Sequence, residues 1–362
     1  MLETLTQQLA AHISLAAEQV AQSVEHLTDE AVAAQLKADF LIALAHKGET
    51  PEEIAAFALA LREKSIAPPL DAATRAREIL DVVGTGGDRL STFNISTTAA
   101  ILCAAAGVAV AKHGNRAVTS SVGSADVIEM LGIRINLTPA EAAHSLCEKN
   151  FAFFFAPNFH PSFKNIAAAR QLCAARGQRT IFNLLGPLLN PARPSAYLIG
   201  VPRPELCEPM ARALQALGAR RGMVVCGEAP VAAEVNPRQN HRELRFPATA
   251  RLDELSTLGK NHVAEFYQER AFSASVWSPE NFPLQPATLA DLRGGDKFVN
   301  AEIVRRILRG EERGPRRDAV LLNASAALFV AGKAKSLIEG WELAATTIDS
   351  GKAKAKLEQL TE

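Results

Sequence analysis

The stretch Ile79-Leu80-Asp81-Val82-Val83-Gly84-Thr85-Gly86-Gly87-Asp88 decides the reading of the fold. Its first five residues form a short β-rich run. The glycines that follow let the backbone approach a ligand closely and turn its N–H groups inward. Thr92-Phe93-Asn94-Ile95-Ser96-Thr97 then leads into a helical pattern that runs from Ser96 to Ala106. Ser96 and Thr97 stand at the predicted helix start, where free N–H groups and the helix dipole favour an anion. Strand, glycine loop and helix N-terminus together read as a phosphate cradle; a tight turn with an ordinary N-cap is the plainer alternative. No G-K-[ST] follows and the spacing is not G-x-G-x-x-G, so the loop is neither a P-loop nor a dinucleotide fingerprint.

Downstream, Val108 to Lys112 reads as a second buried strand. Phe151 to Ala156, Ala196 to Val201 and Met223 to Cys226 are further strand candidates between helical patterns. Thr138-Pro139-Ala140-Glu141 opens one of those helices with a capping signature. Alternating strands and helices predict an α/β domain with a largely parallel sheet. Upstream, residues 1 to about 70 read as helices only: Leu2, Leu5, Leu9 and Ile13 recur at helical spacing. Thr50-Pro51-Glu52-Glu53 opens another helix, and Ala67-Pro68-Pro69-Leu70 breaks the pattern as a candidate linker. A chain of 362 residues suits one large domain plus a smaller one. Glu228 to Arg251, with three prolines and little apolar periodicity, reads as a long surface excursion.

Three further groups carry chemistry. Lys112-His113-Gly114-Asn115-Arg116, followed by Ser124-Ala125-Asp126, gathers cations, an imidazole, an amide and hydroxyls just past a buried strand. Ligands of α/β sheets bind at such carboxyl ends. Lys112 suits a phosphate and Arg116 a bidentate pairing; a polar loop with a structural salt bridge is the alternative. The adjacent carboxylates Asp253-Glu254 suit Mg²⁺, which takes one or two carboxylates plus substrate oxygens, or else a solvated surface. Phe159-His160-Pro161 and Arg170 precede Arg179-Thr180-Ile181-Phe182-Asn183. There His160 reads as a satisfied structural histidine and Arg170 as a helix-surface charge.

Composition bounds the partners. The 39 basic and 39 acidic side chains cancel, which counts against nucleic acid. Five scattered cysteines without a C-x-x-C spacing argue against a disulfide framework or zinc. No run reaches the ~18 apolar residues that span a bilayer, and the amphipathic N-terminus lacks a signal-peptide pattern. The expectation is a cytoplasmic enzyme with no membrane partner.

Together these motifs resemble the anthranilate phosphoribosyltransferase family of tryptophan synthesis. The residues that carry the resemblance are GTGGD at 84–88, TFNIST at 92–97, KHGNRAV at 112–118, GSAD at 123–126 and FHP at 159–161. RTIFNLLGPLLNP at 179–191, LRGGD at 292–296 and GPRRDAVLLNASAAL at 314–328 complete them. The resemblance implies a nucleoside phosphorylase II type of fold. In it a small all-helical domain (1–72 and about 170–192) accompanies a larger α/β domain (73–169 and 193–362) with a mostly parallel sheet, and 228–252 is an insertion loop. It implies transfer of the 5-phosphoribosyl group of PRPP to anthranilate with Mg²⁺, in a homodimer joined through the helical domain. PRPP would meet Gly84, Thr85, Gly87, Asp88, Thr92, Asn94, Ser96, Thr97, Lys112 and Ser124. The acceptor would meet Gly84, His113, Asn115, His160 and Arg170, and the metal Ser96, Asp253 and Glu254.

The chain departs from the family in three places. Cys226-Gly227 stands where the family has His-Gly, residues 228–252 separate that glycine from Asp253, and the stretch from Arg170 to Arg179 is slightly long. These changes adjoin the acceptor and metal sites. A related phosphoribosyltransferase with another aromatic acceptor, or a non-catalytic relative that binds nucleic acid or protein, is the competing reading.

Overall fold

The computed structural model describes residues 1–88, 90–117, 122–231 and 249–362. Four helices come first: α1 (Leu2–Ala10), α2 (Ala17–Thr28), α3 (Ala34–Lys47) and α4 (Pro51–Glu63). After α5 (Ala72–Arg75) come β1 (Ile79–Gly84), α6 (Ile95–Ala105), β2 (Ala109–Gly114), α7 (Ser124–Met130), α8 (Pro139–Lys149) and β3 (Phe151–Phe155). Helices α9 (Ala156–Phe159), α10 (Lys164–Ala175) and α11 (Phe182–Leu185) precede β4 (Ala196–Gly200), α12 (Cys207–Ala216) and β5 (Arg221–Pro230). Strands β6 (Thr249–Leu252), β7 (Asn261–Tyr267) and β8 (Ala271–Trp277) follow, then α13 (Lys297–Leu308), α14 (Pro315–Val330), α15 (Leu337–Asp349) and α16 (Lys352–Thr361).

The described strands form one sheet in the order β3-β2-β1-β4-β5-β7-β8, with β6 also on β5. β3, β2, β1, β4 and β5 run parallel, whereas β6, β7 and β8 are antiparallel. Side chains alternate across the sheet. Leu80, Val82, Leu198 and Val225 pack with the α6, α13 and α14 layer. Tyr197, Ile199, Val224 and Cys226 face α12 and share a continuous core with α1 to α4.

Local rules set the helix starts. Thr50 accepts from Glu53 N–H at 3.2 Å, and the Glu53 carboxylate returns to Thr50 N–H at 2.9 Å. Thr138 and Glu141 repeat the device. Glu53 is buried and also takes Lys47 Nζ at 2.6 Å and Leu15 N–H at 2.9 Å, which ties three bundle segments together.

Two boundaries differ from the sequence reading. The second bundle segment starts before residue 170, because α10 begins at Lys164 and packs on α3. Lys37 Nζ holds its first turn through Asn165 O at 2.8 Å. The 228–252 stretch is not a loop at its ends: Gly227 pairs with Leu252 and Pro230 with Thr249 in an antiparallel ribbon. Residues 232–248 of that excursion lie outside the described residues. Among the described residues no helix is long and apolar enough to cross a membrane.

Candidate active site

The site lies at the carboxyl ends of the parallel strands. Gly84 of β1 and Gly200 of β4 are register partners, and the run that follows β6 passes over both. A Cβ on Gly200 would overlap the carbonyl of Asp253, and one on Gly84 would lie 2.8 Å from Asp253 Oδ2. Glycine at these positions is therefore the condition for Asp253 to reach the loop. Its Oδ2 accepts the Gly86 N–H at 2.7 Å. The Glu254 Oε1 accepts the Ser96 N–H at 3.1 Å, at the start of α6. The carboxylate pair thus joins the glycine loop to the helix N-terminus.

Electrostatics makes this corner short of cations. Burial, then the neighbouring Asp88 and Glu254, push the Asp253 carboxyl well above the usual carboxylate range. Burial lifts Glu254 to about 7 and Asp81 to about 6, against the pull of Lys112. Lys112 is itself buried and donates to Val82 O at 2.6 Å. Burial lowers its pKa, and Asp81 and Glu254 oppose that. Thr85 Oγ1, Asp88 Oδ2 and Thr97 Oγ1 are buried without a hydrogen-bond partner among the described residues. Buried polar atoms rarely stay unpaired, so these three are open to partners that the described residues do not supply. Among the described residues no group of three or more His, Cys, Asp or Glu forms a ready-made metal cage. Mg²⁺ seldom needs one, since it binds through one or two carboxylates and substrate oxygens; Asp253, Glu254 and Ser96 fit that mode.

Asn94 accepts from Asn300 Nδ2 at 3.0 Å, and Asn300 Oδ1 in turn takes Gly295 N–H at 2.8 Å. Thr92 forms a bridge with Arg293. The 292–295 segment therefore fixes the loop that carries Thr92 and Asn94. Ser124 Oγ lies 3.5 Å from Asn115 O. Asn115 is exposed, and its Oδ1 takes the Arg116 N–H at 2.8 Å. Arg116 is not free for a phosphate: it pairs with Asp126 at 3.0 Å and Glu129 at 2.9 Å, the structural salt bridge.

On the other side, His113 Nδ1 faces Gly186 O at 3.2 Å, and its Nε2 faces His160 Nε2 at 3.2 Å. A carbonyl neighbour requires the proton on His113 Nδ1, so His160 must donate from Nε2. Burial lowers His113 to about 3 and His160 to about 4, so both rings are neutral at pH 7. Ring contacts continue from His160 to Phe163 and from Phe163 to Phe182. The half-buried Arg170 guanidinium stands over Phe182 at 5.6 Å, its pKa lowered by burial. These contacts link His113, His160 and Arg170 through one aromatic wall. Cys226 lies in the bundle-side core, its thiol pushed up to about 12 by burial.

Sequence reasoning missed the supports. Asn323, buried on α14, takes Leu255 N–H at 2.9 Å and donates to Leu255 O at 3.0 Å, directly after the carboxylate pair. Asp81 accepts from Asn190 at 2.8 Å beneath Lys112 and His113. The one signal available was Asn323 as a polar break in an apolar run.

A helical bundle on an α/β sheet with this cradle defines a glycosyl transferase. The family description "Glycosyl transferase family, a/b domain" matches residues 76–236 and 229–354, and "Glycosyl transferase family, helical bundle domain" matches residues 3–65. The chain belongs to the anthranilate phosphoribosyltransferase family. The anthranilate phosphoribosyltransferase of Lacticaseibacillus paracasei is 42% identical over 360 residues, 99% of this chain and 96% of its own. The Thermus thermophilus enzyme's crystal structure has a TM-score of 0.84 at 41% identity, covering 99% of this chain and 98% of that one. The Saccharomyces cerevisiae enzyme in complex with PRPP and Mg has a TM-score of 0.83 at 26% identity, covering 99% and 96%.

Proposed function

We propose that this protein transfers the 5-phosphoribosyl group of PRPP to the amine of anthranilate, releasing pyrophosphate, with Mg²⁺ as cofactor. The observation that carries the reading is the convergence of Asp253 and Glu254 on the glycine loop and the α6 N-terminus. The yeast relative solved with PRPP and Mg, and again with 4-fluoroanthranilate, supports the choice of substrates.

In this reading PRPP lies along Gly84, Thr85, Gly87, Asp88, Thr92, Asn94, Ser96 and Thr97, with Lys112 beneath it and Ser124 beside it. As the ribose C1–O bond breaks, its electron pair goes to the pyrophosphate oxygen and C1 gains positive character. Loop N–H groups and Lys112 are preorganised for the growing negative charge. Asp253, Glu254 and Ser96 would hold Mg²⁺, which would supply charge neutralisation of the diphosphate. The amine lone pair forms the C1–N bond, and the nitrogen then gives its proton to the departing pyrophosphate. An arylamine needs no strong base, which suits the neutral His113 and His160. Arg170 and Asn115 orient the acceptor, with Gly84 between the two substrates, and correct placement of both does much of the work.

The reading extends to a helical part, 1–72 with about 164–192, that closes over the rest and excludes water. It includes a cytoplasmic location and a homodimer through that part, where Ile13, Leu36 and Leu59 leave apolar side chains exposed. Anthranilate fluorescence should fall only when PRPP and Mg²⁺ are both present. Turnover of a different aromatic amine alone would reassign the acceptor, and no turnover across a panel of amines would overturn the reading.

A further inference from the structure

Arg179 stands on the connection between α10 and α11, at the rim of the glycine loop. A Cβ built on Gly87 would lie 3.8 Å from each terminal nitrogen of Arg179 and 3.9 Å from Pro202 Cγ. Both outer nitrogens of the guanidinium fork thus stand beside Gly87 of the loop. Its backbone is anchored. Gln178 Nε2 donates to Arg179 O at 2.8 Å, and Thr180 N–H donates to Asn183 Oδ1 at 2.9 Å. Gln178 also contacts His46 at the end of α3 at 3.1 Å, so the residue is delivered from the bundle side.

Among the described residues the side chain itself has no hydrogen-bond or ion-pair partner. Neighbouring arginines are committed: Arg116 to Asp126 and Glu129, Arg176 to Asp39, and Arg193 to Glu63. Arg179 is exposed and makes no ion pair among the described residues. In the same loop Thr85 Oγ1 and Asp88 Oδ2 are buried with no hydrogen-bond partner among the described residues. A guanidinium fork with no partner among the described residues, set beside a glycine turn, is a geometry that receives a phosphate edge.

We propose that Arg179 is a further substrate-binding residue. Its guanidinium takes two oxygens of the PRPP diphosphate from the bundle side of the cleft, opposite Asp253 and Glu254. The proposal rests on the reading above that PRPP lies in this cradle. Because the diphosphate gains charge as the C1–O bond breaks, Arg179 assists departure as well as binding.

The test compares wild type with Arg179→Gln and Arg179→Lys, by magnesium pyrophosphate titration and by steady-state kinetics. Arg179→Gln should weaken pyrophosphate binding about tenfold or more, the loss of a charge-assisted contact. It should raise KM for PRPP and lower kcat, while KM for anthranilate stays put; Arg179→Lys should recover part of the loss. Wild-type turnover with unchanged pyrophosphate binding in Arg179→Gln would overturn this proposal alone. Arg179-dependent pyrophosphate binding without wild-type turnover would uphold it and sink the transferase reading instead.

Discussion

Gly227→Ala probes whether the run crossing the strand ends sets the carboxylates. A Cβ at Gly227 would lie 2.6 Å from Glu254 O, 2.6 Å from Ser256 Cβ and 2.8 Å from Ser256 N. Two of these are backbone atoms and the third is fixed to the backbone, so none can swing aside. Ordinary contact begins near ~3.5 Å, and the 254–256 run must retreat by roughly 1 Å. On its far side Asn323 grips Leu255 at 2.9 and 3.0 Å, so the strain is shared rather than released. Overpacking of this kind costs about 1–3 kcal/mol of stability. A displacement of that size at reacting groups costs on the order of a hundredfold in rate. Gly340→Ala is the matched control, because its Cβ would lie 2.6 Å from Ser325 O, where α15 packs on α14. Both variants should lose stability in denaturant melts, but only Gly227→Ala should need more Mg²⁺ for half-maximal turnover. Equal loss of turnover in both, with an unchanged Mg²⁺ requirement, would refute the idea that the crossing positions Asp253 and Glu254.

Arg170→Ala should raise KM for anthranilate by about tenfold or more, the scale of a lost charge-assisted contact, with KM for PRPP unchanged in steady-state kinetics; an effect confined to PRPP would contradict its acceptor role. Replacing residues 232–248 by a short turn should preserve folding and turnover, because the Gly227–Leu252 to Pro230–Thr249 ribbon closes on its own register; loss of the thermal transition would place that segment in the core. His113 and His160 give a pH signature: the unfolded rings take up protons near pH 6.5, the folded ones only near 3 and 4. Stability is then full above pH 6.5 and falls as pH drops toward 4, each ring adding at most about 1.4 kcal/mol per pH unit. Denaturant melts of a His113→Asn, His160→Asn variant should show a shallower slope over that window, and an identical slope would remove the pair as its source.

The parallel strands were legible because each is a short apolar run, and the helix starts because Thr50 and Thr138 carry their own capping partners. β6, β7 and β8 were not legible. Edge strand β8 is largely exposed and keeps no clean apolar alternation. The ends of the excursion read as surface because they carry charge, yet those charges are cross-strand partners: Glu228 takes His262 Nε2 at 2.7 Å and pairs with Arg251. A charge reads as solvated until its partner is known, and here the partners are 23 and 34 residues away. The same limit hid Asn300, Asn190 and Asn323, whose roles exist only relative to Asn94, Asp81 and Leu255. The residues around the cradle were readable as motifs; what holds them was not.

That distinction explains why a long excursion just before Asp253 leaves the carboxylates in place. An antiparallel ribbon returns the chain to the point it left, so Leu252 comes back opposite Gly227 whatever lies between Pro230 and Thr249. The next residue then falls over Gly84 and Gly200, and Asn323 fixes the one after Glu254. Loop-closure entropy grows only slowly with length, so the extra residues cost little as long as the ribbon register holds. The position of the carboxylate pair is therefore set by two glycines and an asparagine remote in sequence, together with a strand register that ends at Leu252. A shift of that register by one residue would turn Asp253 to the opposite face of the sheet, which makes the pairing of Gly227 with Leu252 a stricter requirement than the length or composition of the segment it encloses.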